Sequence, residues 1–138
     1  MFAEFEDITH KAIEAGQVLT GDWMCEQYEA LNDKYYGSAV EEDDTIRYEW
    51  ARIPHFYNAF YVYKYATGYS AATAISNKIL TEGKPAAKAY IEFLKTGESD
   101  YPINLLKIAG VDMSSPEPIR NAMDKFNALL DEFEELVK

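Results

Sequence analysis

Apolar residues recur at intervals of three and four along most of this chain, the spacing that turns one face of a helix inward. Phe2, Phe5, Ile8 or Thr9, Ala12 and Ile13 predict a first amphipathic helix over 2–15, stopped by Gly16. Thr20 and Asp22 can both cap a helix start, and Trp23, Met24, Tyr28, Leu31 and Tyr35 carry a second apolar stripe that Gly37 ends. Glu41-Glu42-Asp43-Asp44 then breaks all periodicity, because four adjacent like charges repel one another too strongly to pack; an exposed loop is expected there. Beyond residue 70 the small residues Ser70 to Ser76 continue as a helix to Leu80, closed by Gly83. Pro85 opens a helix with Ala86, Ala89, Tyr90, Phe93 and Leu94 on its apolar side. Ile103 to Ala109 forms a short helix capped by Gly110. Ser115 and Pro116 start a long one, with Ile119, Met123, Phe126, Leu130, Phe133 and Val137 on one face.

Between these lies the most aromatic stretch, residues 54 to 69, with five tyrosines, two phenylalanines and one of the two histidines. Pro54 in a first turn and Gly68 near an end predict a helix here. Tyr57, Tyr61 and Tyr65 would then stack at i, i+4 and i+8, with Phe56, Phe60 and Tyr63 on a second face. A helix aromatic on nearly every side must be surrounded by others, so it is expected to be central. No period-two run of β-branched residues bounded by turns appears. The expected class is all-α, about seven helices in a single helical domain spanning 1–138.

Composition narrows the functions open to such a domain. Twenty-four acidic against thirteen basic residues give a net charge of −11, the wrong sign for nucleic acid or an anionic membrane surface. A single cysteine, Cys25, forbids an intrachain disulfide, and no apolar run reaches the ~20 residues that span a bilayer. A cytoplasmic setting is expected.

Metal chemistry is poorly provided for. His10 and His55 are far apart and neither lies in a His-Glu-x-x-His pair, so no metal ligands are assigned in this chain. No glycine-rich phosphate loop or Gly-x-Ser-x-Gly elbow is present. Cys25 beside Met24 reads as a small buried hydrophobe, and His10, among Glu6, Asp7, Lys11 and Glu14, as a surface residue with charge partners. His55 has two readings. It is either a helix-start residue bonded to backbone, or, with a tyrosine hydroxyl on the same rigid element, an uncharged donor to a developing oxyanion. The tyrosines share that ambiguity, since buried phenols usually find a backbone carbonyl.

Ala51-Arg52-Ile53-Pro54-His55-Phe56-Tyr57, continuing through Phe60-Tyr61-Val62-Tyr63 to Tyr65-Ala66-Thr67-Gly68, resembles the segment that follows the zinc site in oligoendopeptidase F, a zinc metallopeptidase related to thimet oligopeptidase. Met1 to Glu6 resembles that family's stretch upstream. Tyr101-Pro102-Ile103, Leu105-Leu106-Lys107 and Ala109 to Met113 with Pro116 resemble its C-terminal end. The resemblance therefore runs the length of the chain. It implies the C-terminal helical part of such a peptidase, lacking the His-Glu-x-x-His segment. Zinc is then a cofactor of the complete enzyme and of none of the residues here, and the chain by itself is expected to be inactive. It also implies that His55 and Tyr57 stabilise the transition state, that Tyr61 and Tyr65 are lesser substrate-binding candidates, and that the substrate is an oligopeptide. A face lining the substrate channel would be left exposed and open to association. The alternative is a non-catalytic helical module that binds a peptide or protein through its aromatic face.

Overall fold

The computed structural model describes residues 1–41 and 43–138. Among these there are six α-helices, three short 3-10 helices and no strand, which is the all-α class the apolar spacing predicts. The helices are α1 (Phe2–Glu14), α2 (Gly21–Tyr36), α3 (Tyr63–Glu82), α4 (Lys84–Lys95), α5 (Pro102–Ile108) and α6 (Glu117–Val137). The 3-10 segments are Gly37–Ala39, Ile46–Arg52 and Pro54–Tyr57. The chain divides into two compact units, Met1–Lys64 and Tyr65–Lys138. Glu42, in the acidic run expected to form a loop, lies outside the described residues; Glu41, Asp43 and Asp44 beside it are exposed.

In the first unit, Phe5, Tyr28 and Leu31 are buried together, with Met1, Ile8, Met24, Trp50 and Phe56 packed around them. Phe5 meets Tyr28 and Phe56 edge-on, each at a centroid distance of 5.2 Å, the geometry in which a positive ring edge faces a negative ring face. Helix α2 starts where Thr20 takes an extended backbone and its hydroxyl accepts from the Trp23 amide at 3.2 Å. Its Tyr28 hydroxyl donates to Glu49 Oε2 at 2.5 Å, while Glu49 Oε1 pairs with Arg52. The Tyr28–Glu49 bond ties α2 to the 3-10 segment Ile46–Arg52 that leads into the aromatic stretch, and Arg52 holds Glu49 from within that segment. The buried Cys25 thiol accepts from the Trp50 indole at 3.4 Å, a second tie between the same elements.

The second unit is built on small residues. Ala71, Ala74 and Ile75 of α3 meet Ala109 and Val111, with Ile79, Tyr90, Phe93, Leu106 and Met113 packed against them. Gly110 takes a left-handed turn at φ 77°, where a Cβ would fall 2.8 Å from the Lys78 side chain.

The aromatic stretch departs from expectation. Pro54–Tyr57 is a single 3-10 turn, residues 58–62 form an irregular turn, and the α-helix begins only at Tyr63. Tyr57, Tyr61 and Tyr65 therefore do not stack along one helix face. Nor is the segment enclosed, since Tyr57 is 74% exposed and Phe60, Tyr61, Tyr63 and Tyr65 are all exposed. The physical cause lies in tertiary contacts that a continuous helix would forbid. Phe56 turns into the core against Phe2 and Phe5, while Phe60 and Tyr61 are held from the side by α1. Gly68, expected to end a helix, sits inside α3, because one glycine costs a helix interior only about 1 kcal/mol.

Candidate functional site

The first unit contains a cleft of about 320 Å³ whose walls include Phe5, Glu6 and His10 from α1, Trp50, and Phe56 and Tyr57 from the 3-10 turn. Its lining is mainly apolar, with Glu6, Thr9 and His10 as polar groups along one side. That is the general form of a small-molecule or side-chain site: apolar walls with a few placed polar atoms.

Pro54 fixes the start of the turn that carries His55 and Tyr57, and Ile53 ahead of it is buried and extended, as the residue before a proline prefers. His55 is half-buried, and its ring lies 5.6 Å from the Tyr61 ring at 33°. The Tyr57 hydroxyl donates to the Ala51 carbonyl at 2.9 Å, closing the turn on its exposed side. The structure thus brings Tyr61 beside His55, and places Tyr57 two residues on at the cleft wall. Tyr65 belongs to α3 and to the second unit.

Behind the turn stand two residues of α1. Glu6 is only 3% exposed, and its Oε1 accepts from the Tyr61 backbone amide at 3.2 Å. His10 stacks on Phe60 with centroids 4.1 Å apart and rings 27° from parallel. His10 is half-buried against this ring and is not the solvated surface residue that its charged neighbours suggest. Phe60 has φ 53°, a left-handed conformation that costs a bulky non-glycine residue of order 1–3 kcal/mol and persists only where surrounding contacts hold it. The sequence does carry one sign of Glu6's role: it falls at helical spacing among Phe2, Phe5, Thr9 and Ile13, a carboxylate inside an apolar stripe. Phe60's conformation leaves no such sign.

Among the described residues no group of three or more His, Cys, Asp or Glu side chains could hold a metal ion, so these residues do not fit a catalytic zinc. No helix is long and apolar enough to cross a membrane, again among the described residues.

The sequence profile of peptidase family M3 matches residues 1–125. Over 137 residues the chain is 56% identical to Oligopeptidase PepF of Bacillus subtilis, covering 99% of this chain and 20% of that protein. It is 46% identical to Group B oligopeptidase PepB of Streptococcus agalactiae, covering 99% and 23%. The crystal structure of oligoendopeptidase-F from Enterococcus faecium superposes with a TM-score of 0.91 at 48% identity, over 99% of this chain and 26% of that one. The chain therefore spans about a fifth to a quarter of the length of the relatives it matches.

Proposed function

Because the chain belongs to peptidase family M3, we propose that it is the C-terminal helical part of a metal-dependent oligopeptidase, lining the substrate channel and acting on peptide bonds in the cytoplasm. The observation that carries this reading is the placement of Tyr57 on a cleft wall, in the same short turn as His55, within the stretch that matches the family. On this reading a zinc ion, for which no ligands are assigned here, would supply polarisation of the scissile carbonyl in the complete enzyme. His55 contributes an imidazole N–H and Tyr57 a phenol O–H to the oxyanion of the tetrahedral intermediate; Tyr61 is a substrate contact, and Tyr65, in the second unit, is a separate substrate-binding candidate. Such donors accelerate the reaction because they bond more strongly to the developing charge than to the ground-state carbonyl. The Tyr57 hydroxyl exchanges its Ala51 carbonyl for the oxyanion in doing so. That exchange is cheap, because both residues are exposed and water can satisfy the carbonyl.

A chimera gives the test: this chain replaces the matching quarter of the Enterococcus faecium enzyme, whose fold it shares. His55→Ala and Tyr57→Phe in that chimera are expected to lower kcat and kcat/KM together by about a hundredfold, with KM nearly unchanged. Near-normal kcat in either folded variant would remove that residue from the mechanism. A chimera that folds but turns over no peptide, while still binding one, would favour the peptide-binding module instead.

A further inference from the structure

We infer that Glu6 and His10 of α1 are positioning residues that hold the 58–62 turn, and through Tyr61 the imidazole of His55, in its working orientation. This inference rests on the role proposed for His55. Three observations converge on it. A carboxylate with almost no exposed surface is unusual unless bonded, and this one accepts from a backbone amide 55 residues away in sequence. The residue next to that amide, Phe60, holds a left-handed backbone that its own side chain disfavours, and the His10 ring lies flat against it. The residue carrying the amide, Tyr61, presents its ring to His55. Two side chains one helical turn apart on α1 thus grip consecutive residues of the turn, and the second of these abuts the proposed donor. Lys64 Nζ lies 5.1 Å from the Tyr61 ring centroid, a further contact on the same ring.

The grip has two separable chemistries. The Glu6 contact needs an oxygen acceptor, which Gln also supplies; the His10 contact needs a flat ring, which Phe also supplies. Glu6→Ala and His10→Ala remove them.

Orientation can be read without activity. The chain has two histidines, so two sets of imidazole proton signals are expected in its nuclear magnetic resonance spectrum. In the unaltered chain the His10 signals are expected upfield because its ring lies flat on Phe60, and those of His55 are expected to be displaced by the Tyr61 ring. Glu6→Ala should move the His55 signals toward random-coil positions, and Glu6→Gln should leave them in place. His10→Ala should move them as well, and His10→Phe should restore them. Unmoved His55 signals in both alanine variants, or equal movement in the alanine and conservative variants, would overturn the positioning role.

The kinetic arm uses the chimera described above. A misplacement on the scale of 1 Å can cost about a hundredfold, so each alanine variant is expected to lose about ten- to a hundredfold in kcat with KM little changed. Glu6→Gln and His10→Phe should stay within about threefold of the unaltered chimera. Loss of kcat that merely follows the denaturation midpoint across all four variants would make the role structural only and overturn the inference. If His55→Ala itself leaves kcat normal, the function proposed for His55 fails, while the resonance arm still decides whether α1 sets its orientation.

Discussion

Tyr28 has no exposed surface, and its hydroxyl is committed to the Glu49 carboxylate. Burial, reinforced by that hydrogen bond, pushes the phenol well above its ordinary value of 10.0. The sign of the pH effect follows. Below about pH 10 both folded and unfolded chains keep the proton and this group adds no pH dependence; above it the unfolded chain releases its proton and the folded one does not. Stability is thus fully present below the unfolded value and is lost as pH rises past it, by about 1.4 kcal/mol for each unit until the folded phenol also ionises. Tyr28→Phe should abolish that contribution. At neutral pH it should cost about 1–2 kcal/mol, because Glu49 loses one donor but keeps Arg52. Urea midpoints measured from pH 7 to 11 on both proteins give the check, and parallel curves would refute it.

Helix α3 shows at the element scale where local propensity yields to context and where it does not. Gly68 lies within it, helical in backbone, with nothing beyond the local helix backbone within 4 Å of the position a Cβ would take. Gly68→Ala should therefore raise stability by about 0.5–1 kcal/mol, through lower unfolded-state entropy and no new clash. A fall in the midpoint of thermal unfolding would mean that the helix is broken at this residue. The apolar periods of α1, α2, α4, α5 and α6 were legible because each follows from local spacing, helped in α2 by the Thr20 cap and in α4 and α5 by a proline in the first turn. The break at 58–62 was not. It depends on Phe56 entering the core, Glu6 taking the Tyr61 amide and His10 meeting Phe60, contacts separated by about fifty residues. His55 and Tyr57 could be singled out by residue type and by family resemblance, but the same long-range contacts decide which ring lies beside His55.

At the scale of the whole molecule, a pattern can predict a face without predicting what meets it. The long α6 helix carries the apolar stripe its sequence promises, yet Ile119, Met123, Phe126, Leu130, Phe133 and Val137 are all exposed; only Pro118 and Ala122 near its start are buried. Contiguous apolar surface of that kind is rare on a self-contained protein and tends to be an interaction site. The net charge of −11 opposes indiscriminate association, so such a surface can stay hydrated and accessible in a chain of this composition. The chain on its own is accordingly expected to bind a fluorescent apolar dye such as anilinonaphthalene sulfonate while retaining its far-ultraviolet helical signal. Phe126→Gln with Phe133→Gln should lower the dye signal at least twofold and leave helicity unchanged, since neither ring is buried in the structure. A molten chain would also bind dye, so near-ultraviolet circular dichroism from the Trp50 and Tyr28 cluster is recorded on the same samples. Dye binding that persists in the double variant, with the aromatic signal intact, would place the accessible apolar surface elsewhere than on α6.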